Sequence, residues 1–194
     1  MRPPCEYSGR RLLRQRKSHG NRACGLLRCN IESVQSLTQL GGAVGSLLKA
    51  RGQTLGVAES SGGGLINATL VAVPGASAYY LGGAVVYTGA GRLALLGITA
   101  EDMKGMRSAS EPFAQLLARR VRSNLGATWG LAETGASGPA GNRYGDAAGH
   151  ACIAVSGPVE AVLTLETGST DREGNMWTFA TRALELLEDC LRKS

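Results

Sequence analysis

The chain has 194 residues, 43% hydrophobic and 19% charged, with a formal net charge of +6. That length suits one domain with its own core, since domains run to about 100–200 residues. The charge is unevenly placed: residues 1–30 carry eight Lys and Arg against one acid, whereas the rest carries thirteen basic and fourteen acidic residues. The excess therefore belongs to the tail, and no nucleic-acid partner is expected for the near-neutral body, because such binding needs a basic face on a folded surface.

Residues 1–30 contain Pro3-Pro4, many arginines and no apolar h-region, which excludes a secretory signal. Organelle transit peptides share this composition. The tail reads as a transit-like address to plastid or mitochondrion, or as a disordered basic extension with no address on a cytoplasmic protein. No run approaches the ~18 apolar residues that span a bilayer, so no membrane partner is expected. The five cysteines (Cys5, Cys24, Cys29, Cys152 and Cys190) are odd in number and form no CxxC pair, which points to a reducing compartment without a disulfide frame.

The body, residues 31–194, opens with Val34, Leu37, Leu40, Val44, Leu47 and Leu48 at helical spacing, stopped by Gly52. Thr54–Ala58 predicts a buried strand, Gly62–Val71 a helix, and Pro74-Gly75 a turn. Gly83–Tyr87 predicts a second strand and Arg92–Leu96 a short helix. Thr99 opens a further helical turn with Asp102 as its capping-box acid. Ser110-Glu111-Pro112 begins a longer helix with Phe113, Leu117 and Val121 on one face, ended by Gly126. Thr128–Glu133 predicts a strand, and Thr134–Gly149 a glycine-rich loop. Ala151–Val155 and Val159–Leu165 predict a hairpin joined by Gly157-Pro158, and Asp171–Leu191 a closing helix. Helices between early strands, then a late hairpin, predict a three-layer α/β/α sandwich with a mixed β-sheet.

Chemistry concentrates at two strand ends. Ala58-Glu59-Ser60-Ser61-Gly62-Gly63-Gly64 is a small-residue turn between a strand and a helix. Such turns present hydroxyls and backbone N–H groups on one rim of a sheet, where anions or carbonyls bind. Ser60 is a nucleophile, a phosphate contact or a helix cap on this reading; Glu59 orients a neighbour or is solvated. The loop Glu133-Thr134-Gly135-Ala136-Ser137-Gly138 also follows a strand. Its glycines let a ligand approach the backbone, and Thr134 and Ser137 offer hydroxyls. Loops this long are uncommon in compact domains unless functional. Tyr87 and Arg92 flank a turn after the second strand, and arginine can clamp a phosphate.

Other motifs fail. Ser46-Leu47-Leu48-Lys49 matches S-x-x-K but lies on the first amphipathic helix. No glycine-rich loop ends in Gly-Lys-Ser/Thr. His19 and His150 with scattered cysteines build no zinc site, so no metal and no cofactor are expected, and His150 reads as structural.

Taken in order, Ala58–Gly64, Val73-Pro74-Gly75-Ala76-Ser77-Ala78, Gly83–Tyr87, Leu95-Leu96-Gly97-Ile98, Thr134–Gly141 and Gly168-Ser169-Thr170-Asp171-Arg172-Glu173 resemble the C-terminal domain of the CinA family. The resemblance covers about residues 34–190. It implies an amidohydrolase that cleaves the carboxamide of nicotinamide mononucleotide to nicotinic acid mononucleotide and ammonia, a pyridine-nucleotide salvage reaction, with no metal. It places the serine nucleophile at Ser60 and a family tyrosine at Tyr87. It implies oxyanion stabilisation by amides near Gly62, Gly63 and Gly64, and nucleotide contacts from Glu59, Ser61, Thr134, Gly135, Ser137 and Gly138. The partner is then a small nucleotide, and a homo-oligomer is compatible with it.

The sequence departs from the family at the base. The lysine expected five residues after the tyrosine is Arg92. Arginine keeps its proton and cannot accept one from a serine, whereas a desolvated lysine can. Tyr87 would need a neighbouring cation to act as base, and Arg92 is the candidate for that cation. Gly62 replaces a usual threonine, Met176 a usual basic residue, and Asn142-Arg143-Tyr144-Gly145-Asp146 the usual segment before the Gly149 strand. A pocket that kept its shape and lost catalysis is the alternative reading.

Removing residues 1–30 is expected to leave the thermal midpoint of the domain unchanged. A drop of several degrees in a calorimetric scan would show instead that the tail packs on the body.

Overall fold

The computed structural model describes residues 36–194. The tail expectations and Val34 lie outside the described residues. Five strands form one mixed sheet in the order β2-β1-β3-β4-β5. β1 (Leu55–Glu59) runs parallel to both β2 (Tyr80–Val85) and β3 (Trp129–Ala136). β4 (His150–Ser156) and β5 (Ala161–Glu166) continue antiparallel as the expected hairpin. Helices cover both faces, giving the three-layer α/β/α sandwich.

The layers follow from alternation along the strands. Leu55, Val57, Leu131, Ile153 and Val155 point to one face, where they meet α1 (Leu37–Ala50), α2 (Leu65–Val71) and α5 (Arg172–Lys193). α1 starts at Ser36, whose hydroxyl accepts from Gln39 N while Gln39 accepts from Ser36 N, a reciprocal capping box. On the opposite face Ala58, Ala132, Cys152 and Ala154 are small. They receive α4 (Glu111–Leu125), with α3 (Gly89–Leu96) beside it.

This small-residue face lets α4 lie against the backbone of the sheet. A Cβ built on Gly130 would sit 2.0 Å from the carbonyl oxygen of Ala118, and one on Gly56 2.8 Å from Leu125. α4 ends where expected, at Gly126 in the left-handed conformation.

Several boundaries differ from expectation, among them α3, which begins at Gly89 rather than Arg92. β2 begins at Tyr80 rather than Gly83, because its pairing with β1 starts at Leu55–Tyr80 beside the buried Tyr79. The pairing runs out at the Val86 N–H, which donates to Glu59 O, so Tyr87 lies beyond the strand. α2 begins at Leu65 rather than Gly62, because the glycine turn is held by other bonds. β3 extends through Thr134 and Gly135 to Ala136, paired with Cys152, Ala151 and His150, so the loop starts only at Ser137. The Thr99 segment is a turn: Thr99 N and Oγ1 donate to Asp102, and Asp102 N returns to Thr99 Oγ1, without extending into a regular helix.

Because β1, β2 and β3 are mutually parallel, their carboxyl ends share one rim. Ligand sites of open α/β sheets lie there.

Gly130→Ala is expected to lower stability by about 2 kcal/mol or more, since the obstructing atom is backbone and cannot rotate away. Gly42→Ala, mid-helix in α1 with nothing within 4 Å of its Cβ, is expected to raise stability by about 0.5–1 kcal/mol. Urea unfolding of the two variants checks the opposite signs.

Candidate functional site

The Ser60 turn is built on two glutamates that are fully buried, Glu59 and Glu133. Glu133, inside β3, accepts the N–H of Ser60 (3.1 Å) and of Gly62 (2.7 Å) on one oxygen, and the Ser61 hydroxyl on the other. Glu59, at the end of β1, accepts the N–H of Gly64 (2.9 Å) and both the N–H and side-chain amide of Asn67 (2.6 Å each). Asn67 in turn accepts the Tyr80 hydroxyl. The turn is thus tied at both ends to carboxylates in neighbouring strands.

Burial pushes both carboxyl groups above their ordinary range. Glu133 rises to about 7: desolvation outweighs the bonds from Ser61, Gly62 and Ser60, and the charge on Glu59 adds to the rise. Burial also pushes Tyr80 up to about 12, with Glu59 adding to it. Gly62 lies between the acids, since a Cβ there would be 3.1 Å from an oxygen of each. Gly63 and Gly64 take left-handed φ values of 71° and 106°, and a Cβ on Gly63 would meet the Met176 methyl at 2.7 Å.

These bonds correct two expectations. The N–H groups of Gly62 and Gly64 point inward to carboxylates, and that of Gly63 to Ser60 O (3.2 Å), so the glycine turn is not an oxyanion cradle. Glu59 is wholly buried and holds the turn from below, so it is not a ligand contact. The cap reading of Ser60 also falls away: α2 is capped by Gly64 with no side-chain bond.

The remaining candidates converge. Ser60, Tyr87, Arg92, Thr134 and Gly135 line one cleft of about 410 Å³, closed on its far side by Ser108, Phe113, Asn142, Arg143 and Tyr144. Ser61, Ser137 and Gly138 line an adjoining cleft of about 310 Å³ with Arg172. Tyr87, Gly135 and Asn142 form the shared wall. The Ser137 hydroxyl is buried and has no hydrogen-bond partner. A hollow of about 470 Å³ near the end of α4 holds none of these residues, and its Arg119 is paired with Glu160 at 2.8 Å.

The cation at Tyr87 is not the expected one. Arg172, in the first turn of α5, donates to the Tyr87 hydroxyl (3.1 Å) and to Gly138 O (2.6 Å). Arg92 instead donates to Ser108 (3.0 Å) and lies over the Phe113 ring, 5.3 Å from its centre. Arg107 is neutralised by Asp146, while no salt bridge holds Arg92, Arg143 or Arg172 among the described residues. Asn175 anchors the second cleft by donating to Ser137 O and Ser169 O, both at 2.8 Å.

His150 lies behind the cleft wall. Nδ1 faces Glu166 Oε1 at 2.5 Å and Nε2 faces the Ala109 carbonyl at 3.0 Å. Burial opposes its charged form, but the two acceptors together with the charges on Asp146 and Glu166 outweigh burial and raise its pKa. It ties the Ala109 backbone to β4. Among the described residues no group of three His, Cys, Asp or Glu is placed to hold a metal ion.

Sequence reasoning missed Asn67 and Ser108, and quoted Glu133, Arg143 and Arg172 without giving them a role. A glutamate directly after the apolar run Trp129–Ala132 was the available signal for Glu133, because charge is rarely buried without partners.

The folded Glu133 lies above its ordinary 4.5, so its contribution to stability is greatest at low pH and is lost as the pH rises from about 4.5 through about 7. Glu59 acts in the same direction. The parent is expected to lose on the order of 3 kcal/mol across that window through Glu133, and Glu133→Gln to show a flatter profile. Parallel melting profiles from about pH 5 to about pH 8 would show that Glu133 does not titrate there.

The comparisons with known proteins agree with this fold. The family model described as "CinA C-terminal domain" matches residues 37–191. A CinA-like protein of Nostoc is 37% identical over 127 residues, 66% of this chain and 30% of that protein. One from Acaryochloris marina is 41% identical over 134 residues, 69% of this chain and 32% of that protein. The chain spans about a third of the length of these curated relatives. Among solved structures, a CinA superfamily protein of Klebsiella pneumoniae matches with TM-score 0.77 and 26% identity, covering 82% of this chain and all of that one. A superfamily member from Enterobacter cloacae matches in fold with TM-score 0.75 and 24% identity, covering 92% of this chain and 99% of that one. With a family match across nearly every described residue and a fold shared with those structures, the chain belongs to the CinA family, through its C-terminal domain.

Proposed function

We propose that the domain is an amidohydrolase acting on the carboxamide of a pyridine nucleotide, nicotinamide mononucleotide being the reference substrate. The observation that carries this reading is the convergence of Ser60, Tyr87 and Thr134, from three parallel strand ends, on one cleft. Ser60 attacks the carboxamide carbonyl, forming the C–O bond. The C–N bond breaks, ammonia leaves, and water hydrolyses the acyl-serine to the acid. Tyr87 is the proton-transfer group, and Arg172 holds its hydroxyl in place by donating to it at 3.1 Å. Thr134, Gly135, Ser61, Ser137 and Gly138 contact the nucleotide, the orphaned Ser137 hydroxyl gaining a partner when it binds. The basic segment at residues 1–30 fits an organelle address.

A second reading rests on Arg92. A guanidinium stands where the family's lysine would take the proton, which favours a nucleotide-binding module that cleaves nothing.

Ammonia release from nicotinamide mononucleotide by the full chain tests the first reading. Turnover is expected, about 10²–10⁴ slower than with a dedicated base. Ser60→Ala is expected to abolish it, and Arg92→Lys to raise it. A Ser60→Ala variant that hydrolyses as fast as its parent removes Ser60 as nucleophile. Calorimetric binding with no turnover favours the second reading.

A further inference from the structure

The Ser60 cleft is lined by two guanidiniums and no carboxylate. Arg92 is fixed on two sides, by its bond to Ser108 at 3.0 Å and by the Phe113 ring beneath it. Arg143 donates to its neighbour Tyr144 at 2.8 Å. A guanidinium carries five N–H donors, so each keeps donors that no residue claims among the described residues. A ligand entering here displaces the water on those donors and must replace it with acceptors.

A carboxamide does this poorly. It offers one acceptor oxygen, and its NH₂ group meets the arginine fork donor to donor. An ionised carboxylate offers two acceptors in the geometry of the fork and neutralises the charge. The pre-positioning of Arg92 by Ser108 and Phe113 removes most of the ordering cost of that contact.

We propose that the Ser60 cleft recognises the acid in preference to the amide: a pyridine nucleotide with a ring carboxylate, paired bidentately with Arg92, and with its phosphate against Arg143. This rests on the pyridine-nucleotide reading above and holds whether or not the chain turns over. In an enzyme it means that the product acid is retained after ammonia leaves. In a binding module it makes the acid the cognate ligand.

Titration calorimetry of the full chain with nicotinic acid mononucleotide and with nicotinamide mononucleotide tests it, since the two differ only at the carboxyl group. The acid is expected to bind about tenfold more tightly or better. Arg92→Gln is expected to erase the preference, and a thermal midpoint equal to the parent's shows that the variant is folded. Arg143→Gln is expected to weaken both ligands alike. Arg92→Met is the second variant and is expected to match Arg92→Gln. Equal affinity of the parent for acid and amide, or a preference that survives both Arg92 variants, overturns the assignment and leaves the nucleotide reading standing. Failure of the parent to bind either nucleotide overturns both.

Discussion

Everything at the candidate site hangs on two carboxylates that never meet solvent. Glu59 and Glu133 sit on adjacent strands and hold the turn between Ser60 and Gly64 through its own backbone N–H groups. A buried carboxylate is costly unless its oxygens are occupied. Here the occupants are the amides that a tight glycine turn cannot pair with itself. Each group supplies what the other lacks, so the acids and the turn specify one another. The position of Ser60 on the rim is a consequence of that mutual satisfaction.

The same arrangement explains why the turn is so rich in glycine. Gly62 passes between the two carboxyl groups, Gly63 lies under the Met176 methyl, and Gly63 and Gly64 adopt backbone angles that side chains disfavour. The amides that a helix start would ordinarily offer to a ligand are already used by the protein. The clefts therefore present side chains to a ligand: hydroxyls of Ser60, Thr134 and Ser137, the Tyr87 phenol, and three guanidiniums free of salt bridges among the described residues. That balance of groups favours an anionic ligand.

Much of the fold was legible because the periodicities are strong. The apolar faces of α1, α4 and α5, the Gly126 stop and the Gly157-Pro158 hairpin all stand where spacing and turn chemistry put them. Boundaries slipped where a partner strand decides them. β2 starts at Tyr80 because Leu55 pairs there, and β3 reaches Ala136 because β4 offers partners as far as His150. The site was legible as segments: Ser60, Tyr87, Arg92, Thr134 and Gly135 were named from sequence and do share a cleft. Their partners were not. Arg172 is 85 residues from Tyr87, and the Ser61–Glu133 bond spans 72. Nothing local marks either pairing.

The amino-acid sequence by itself determined the elements, their buried faces, the two candidate strand ends and the family to which the chain belongs, because these are written in short-range pattern and in ordered motifs. Tertiary structure alone decided which groups face the ligand and which support it. Glu59, adjacent to Ser60, turned inward, whereas Arg92 and Arg143, 51 residues apart, turned to the same cleft. The reason is geometric. Burial, pairing and charge compensation are set by what lies across the sheet, and the distance across a sheet bears no relation to the distance along the chain.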